Sequence, residues 1–565
     1  MQDMRSQDRL KSFIKVSKKD YKSECEKFIV SLRKTRKQKK FNDKRKIYSK
    51  VFDVDDKTSS KAGLDRIETI DSSPFSTDSS MDKEDACETL TNITSDLCKS
   101  VDELEIIDLV ERLSNFLLSS WEADFQRALL TEGLVYKYAT FLNFQNKVLS
   151  KVIIKFLGNL FYHVDEINPS MITSMVESGL IEILVTKTLV SINSLDIPHK
   201  STFEDGKYDF GSFNEKYMPI YKLLINLCAV EPKLEQEILG CDILDSIVVT
   251  LSNDFMENNE DFIICVARLL KVLLPNIKSQ HILLIYQLGR VLFPILEKTE
   301  SPDLQLEILN CLNFIFQYDE SSCEYKYIKY MCGLLATSMK LKQKLSKEFN
   351  LQYEQQILSI ICTVTCFEKC SKFSKLILES IPSILKFLRN KHSNLKTKQL
   401  VLSIVGNLSL SGDLYQDPQI FTQSINKVVL EMLFQHREQS KDNSEEDISF
   451  DYKLSVLECV KTMLVKVPYQ LQCDTIEDGI LEVMNNFINP NNEPPEVNKE
   501  YLVILFNILA CENKNQGSVF CKERIIESDC ISFIEELCSY PDTTISTLAG
   551  CISDHLENSE YCKIV

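Results

Sequence analysis

Only 14 of the 565 residues are glycine, about 2.5% where ~7% is usual. That leaves little backbone for phosphate-cradling loops, a nucleophile elbow or the many tight turns of an all-β protein. Histidine is scarcer still: the six, at 163, 199, 281, 392, 436 and 555, form no HExxH or other metal-ligating pair. No Gly-rich phosphate loop, G-x-S-x-G or kinase-like signature is present. A catalytic role therefore has no residues to carry it, and no cofactor is expected. Tryptophan occurs once, at Trp121, where packing is the simplest duty. No uninterrupted apolar run approaches the ~18 residues of a membrane span; the best, FIICVARLLKVLLPNI at 262–277, is broken by Arg268 and Lys271.

What is present begins with charge. Residues 1–50 hold 18 Lys and Arg against 6 Asp and Glu, a net of +12, and the rest holds 47 against 76, a net of −29. A basic head on an acidic body can attract its own body or seek an acidic partner elsewhere. It does not suit a chain that binds nucleic acid over its whole surface. The 20 cysteines sit in a long chain with ample core composition and no signal-peptide pattern, so they are expected to be reduced thiols of an intracellular protein. Cys362, Cys366 and Cys370 share one side of a helix; without a His or a fourth Cys at ligand spacing they read as buried thiols, with no metal.

Three compositions follow one another. Residues 1–50 have scattered apolar residues (Leu10, Phe13, Phe28, Ile29, Leu32) among the charges, enough for a helix that forms on a partner but too few for a core. Residues 51–85, rich in Ser, Thr and Asp, read as a flexible linker with serines open to phosphorylation. From about residue 86 to 565, apolar positions recur at helical spacing in segments of roughly 10–16 residues.

Two elements repeat in that body. The first is a short turn followed by a helix, as in TEGLVYKYATFL at 131–142, ESGLIEILVTKTL at 177–189, LGCDILDSIVVTL at 239–251, LESIPSILKFL at 378–388 and ESDCISFIEEL at 527–537. The second is a very apolar helix carrying Asn159, Asn226, Asn313, Asn407 or Asn507, with Lys271, Thr363 and Lys461 in the same place between them. The marker intervals are 67, 45, 42, 50, 44, 54 and 46 residues, close to the ~40–47 of a HEAT or armadillo unit. The polar stretches 193–215 and 437–451 lengthen two of them and read as surface insertions. The expected fold is all-α: a right-handed α-solenoid of about nine to ten armadillo repeats, whose concave surface suits an extended peptide. Each Asn can either serve that surface or merely cap a helix.

Near the start, RLKSF at 9–13, SLRKTRKQKK at 31–40 and KRK at 44–46 resemble the importin-beta-binding segment of the importin-alpha family. The recurrent Asn on the second helix is similar to that family's groove Asn. The resemblance implies a nuclear-import adaptor that shuttles between cytoplasm and nucleus. It implies importin-beta binding through Arg9, Lys11, Phe13, Lys15, Leu32, Arg33, Lys34, Arg36, Lys37, Lys39 and Lys40. Cargo with nuclear localisation signals would lie against the Asn residues and Glu231, an export receptor would take the last repeats, and nucleoporins would be met indirectly. Lys44, Arg45 and Lys46 would fold into the empty groove and compete with cargo.

Two features depart from the family. Lys22, Ser23, Glu24 and Cys25 stand where relatives have an Arg cluster. The family also grips lysines with a Trp four residues before each Asn, by stacking and cation–π attraction, whereas this chain has Lys155, Lys222, Leu309, Ser403 and Val503 there. Val230 replaces a groove carboxylate, with Glu231 beside it. Cargo preference is therefore expected to differ from the conventional basic signal. The competing expectation is a helical-repeat scaffold for an unrelated partner, with a basic tail for nucleic acid or membrane surfaces; a helical regulatory subunit of an enzyme is a third.

Overall fold

The computed structural model describes residues 83–557 apart from 120–128, 164–168, 194–210, 254–258, 279–280, 319, 342–345, 368–370, 391–392, most of 413–449, 466, 489–492 and 515–518. The chain divides into two units, Met1–Asp65 and Arg66–Val565, and every described residue belongs to the second. The importin-beta-binding candidates Arg9 to Lys40, the triplet Lys44–Lys46, the linker serines, Trp121 and Cys370 lie outside the described residues.

Among the described residues there are 23 α-helices and no strand. Ten of them form one continuous layer, each packed on the next: α2 (Glu103–Ser119), α4 (Lys147–His163), α7 (Gly211–Val230), α10 (Glu260–Leu273), α12 (Pro302–Tyr318), α14 (Lys347–Thr365), α16 (Leu395–Ser411), α17 (Phe450–Val465), α20 (Pro495–Lys514) and α23 (Thr543–Glu557). The eight marker positions of the sequence all fall on this layer, on α4 to α20. The remaining helices make a second layer: α1 (Lys83–Lys99), α3 (Glu132–Leu142), α5 (Pro169–Glu177), α6 (Leu180–Asn193), α8 (Leu234–Gly240), α9 (Ile243–Leu251), α11 (Ile282–Lys298), α13 (Tyr325–Leu341), α15 (Ser371–Arg389), α18 (Tyr469–Glu477), α19 (Ile480–Phe487), α21 (Phe520–Glu527) and α22 (Cys530–Cys538). This is the expected solenoid of stacked helical repeats.

Local chemistry explains where five of the ten helices start. Asn146 Oδ1 accepts from the Val148 and Leu149 amides before α4, Asn259 from Phe262 before α10, Ser346 from Phe349 before α14, Asn394 from Thr397 before α16 and Asp542 from Thr544 before α23. Each satisfies amides that the first helical turn leaves unpaired. In the second layer, left-handed residues set the turns between short helices: Gly179 at φ 71°, Gly479 at φ 94° and Asp242 at φ 60°. Gly takes that conformation without strain and Asp tolerates it.

The repeats are not uniform. In the middle of the array the paired short helices merge, and α11, α13 and α15 are single helices of 17, 17 and 19 residues. The turn expected at 378–381 is absent, since α15 runs unbroken from Ser371 with Pro382 inside it; α11 likewise holds Pro294. The insertions are also shorter than expected, because α7 begins at Gly211 and α17 at Phe450. Between the layers lies an apolar core whose largest buried side chains include Tyr138, Tyr221, Phe262, Phe293, Tyr327 and Tyr501. The rings of Tyr221 and Phe262 meet edge-on at 5.2 Å and join α7 to α10. Each such side chain contributes about 1.5–3 kcal/mol of burial free energy.

Candidate functional site

The candidate site is the face of the ten-helix layer that points away from the second layer. Side chains on this face and beneath it are bonded from helix to helix at about one repeat's spacing, and the order of these bonds shows that neighbouring helices run parallel. Between α4 and α7, Lys151 pairs with Glu215 at 2.7 Å and Asn226 Nδ2 donates to the Gly158 carbonyl at 3.1 Å. Glu215 is held below the usual carboxylate range by the Lys151 ammonium, which donates to it. Between α10 and α12, Glu307 accepts from Arg268 at 3.1 Å and also faces Lys271 at 3.7 Å. Further along, Lys461 on α17 pairs with Glu500 on α20.

The positions expected to face a ligand fall into different settings. Asn159 on α4 keeps 8% of its surface. Asn226 is fully buried, and its amide serves the α4 backbone. Asn313 on α12, 6% exposed, donates to Gln356 Oε1 at 3.1 Å and Ser359 Oγ at 3.0 Å on α14, and accepts from Gln317 at 2.8 Å. Asn407 on α16 is half-buried and donates to Thr365 Oγ1 at 3.0 Å and Cys366 Sγ at 3.1 Å on the preceding unit. Asn507 on α20 is half-buried beside exposed Phe506. Glu231, just beyond α7, accepts from the backbone amide of Lys233, two residues on, at 3.1 Å. Thus Asn226, Asn313 and Asn407 each tie one repeat to the next.

Of the positions four before the Asn residues, Lys155, Lys222, Ser403 and Val503 are half-buried on the layer's face, while Leu309 lies in the core. Cys362 is buried and Cys366 exposed.

The polar capping residues also reach between repeats, a role the sequence did not announce. Asn146 Nδ2 donates to Glu103 at 2.7 Å on α2, the Asn259 and Asn214 side chains exchange two hydrogen bonds at 2.7 and 3.1 Å, and Asn394 accepts from Gln355 at 2.9 Å. Their only sequence signal is an Asn just before an apolar run, which is also the ordinary mark of a helix start.

No family model matches the sequence, and no curated protein matches it. Among solved structures, the chain is similar to an engineered protein, with 14% identity, a TM-score of 0.58, and 84% of this chain and 99% of that chain covered. It is also similar to a chain from a structural study of the phosphorylation switch that controls the interaction between cadherin and beta-catenin, with 12% identity, a TM-score of 0.55, and 83% and 86% covered. At these identities the likeness shows the fold: an armadillo-like helical-repeat solenoid.

Proposed function

We propose that this protein is a non-catalytic transport adaptor: its inner face holds an extended segment of a cargo protein, and importin-beta carries it through the amino-terminal basic segment. The supporting observation is the conjunction of the RLKSF, SLRKTRKQKK and KRK pattern within residues 9–46 with a body that is an armadillo-like solenoid. Lys and Arg of a basic amphipathic segment pair with carboxylates of an acidic solenoid, while Phe13, Phe28 and Leu32 fill apolar gaps. Such an adaptor shuttles between cytoplasm and nucleus and needs an export receptor to return; nucleoporins are met through the carrier.

The experiment is retention of the full chain on immobilised importin-beta at physiological salt, beside the Arg33→Ala, Lys34→Ala double variant. Retention of the parent and loss in the variant is the expected result. A parent that flows through, or equal and salt-sensitive retention on nucleic acid, favours the competing reading of a scaffold with a non-specific basic tail.

A further inference from the structure

Charge is unevenly spread along the ten-helix layer. Helices α4, α7 and α10 together carry seven Lys and Arg against three Asp and Glu, a net of +4. The layer's adjoining helices have the opposite sign, α2 at −3 and α12 at −2. The excess lies on α4 and α7, while α10 balances Arg268 and Lys271 against Glu260 and Asp261, in a body whose net charge beyond residue 50 is −29.

The inter-helix bonds give the register of these cations. Lys151 meets Glu215 and Gly158 meets Asn226, so Lys155 stands about level with the turn bearing Lys222. Asn214 meets Asn259, which brings Lys222 level with Arg268; consistently, the Lys222 and Arg268 charges both act on the Cys265 thiol. Lys155, Lys222 and Arg268 therefore form a row across three successive helices. Glu307 closes the row on α12, where one carboxylate of 14% exposure is shared by Arg268 and Lys271. Lys155 and Lys222 are half-buried, and the Lys155 charge also reaches Glu215 on α7.

We propose that this row docks an acidic, extended protein segment with carboxylates about every third residue. The spacing follows from packing: neighbouring helix axes lie about 8–10 Å apart, and an extended chain advances ~3.3 Å per residue. A lysine-rich segment meets like charge here. A nucleic acid finds no aromatic platform within the row itself and is repelled by the acidic body. This inference rests on the reading that the inner face holds an extended segment, and it names that segment's chemistry.

The test uses the full chain and labelled peptides of about twelve residues, with Glu, Gln or Lys at every third position, followed by fluorescence anisotropy at physiological salt. The Glu peptide should bind roughly tenfold or more tightly than the Gln peptide, and a Lys155→Gln, Lys222→Gln protein should lose most of that difference. Circular dichroism checks that the variant is folded; should it not be, Lys222→Gln alone serves, and Lys222→Arg should retain binding. The proposal is overturned if the Lys peptide binds as well as the Glu peptide, if no peptide binds, if a folded variant discriminates as the parent does, or if a single-stranded oligonucleotide outcompetes the Glu peptide. Equal binding of all three peptides removes the row and leaves the inner-face reading standing. Importin-beta retention depends on residues 9–46, so its failure alone sinks the transport reading and leaves the row intact.

Discussion

Asn226 donates its side-chain amide across 3.1 Å to the main-chain oxygen of Gly158, joining α7 to α4 from a fully buried position. The Gly158 oxygen has two lone pairs, so it can serve both its own helix and this neighbour. Removing the amide should cost about 1–3 kcal/mol, because a buried acceptor loses a partner and a small cavity opens. Asn226→Ala should therefore unfold at a lower temperature and show faster amide exchange in α4 and α7. A variant as protected as the parent would mean that the bond contributes nothing.

Why the sequence located the helix but not this orientation is clear from its neighbours. YKLLINLCAV around Asn226 is apolar nearly all round, so no polar stripe marks which face meets the groove. The marker spacing was enough to place eight helices of the ten-helix layer, since repeat length is a property of the whole unit. It missed α2, although Asn115 stands there in an apolar run one repeat length before Asn159, and α23, which has no Asn. It also read a short turn at the start of LESIPSILKFL, by likeness to the other turn-then-helix segments; α15 instead runs through it with Pro382 inside.

A second tight approach lies between α16 and α17. A Cβ on Gly406 would stand 2.8 Å from Thr462 Oγ1 and 3.8 Å from the Cys459 Cα. Gly406→Ala gains helix propensity, about 1 kcal/mol, but the clash should outweigh it and leave the protein about 1–2 kcal/mol less stable. Thr462→Ala removes the offending hydroxyl, which donates to the Cys459 carbonyl at 2.8 Å. Combining the two should recover most of the loss in urea unfolding. Simple additivity would place the strain elsewhere.

Glu235 on α8 is 5% exposed, and Asn276 donates to it. Burial pushes its carboxyl up to about 7, against a smaller downward pull from the Asn276 hydrogen bond. The folded chain thus keeps a proton that the unfolded chain releases at about 4.3, so this group's contribution to stability falls as pH rises from about 4.3 to about 7 and is level above. Glu235→Gln should match the parent near pH 4 and exceed it by on the order of 1–3 kcal/mol at about pH 8. A stability difference that does not change with pH would show that Glu235 titrates alike in both states.

The proposed competition of the basic triplet Lys44, Arg45 and Lys46 with cargo carries a charge-dependent prediction, because this layer offers two surfaces of opposite sign. From α12 to α23 the inner helices carry seven Lys against eleven Asp and Glu, a net of −4, opposite to the +4 of α4, α7 and α10. On the proposed reading that this head reaches the body, its net charge of +12 favours the former surface and disfavours the Lys155, Lys222 and Arg268 row. Competition between head and cargo should therefore depend on cargo charge. Deleting residues 1–50 should strengthen binding of a Lys-rich peptide severalfold and leave the Glu peptide within about twofold at physiological salt. Strengthened Glu-peptide binding would place the head on the row itself, and unchanged affinity for both peptides would remove autoinhibition from the mechanism.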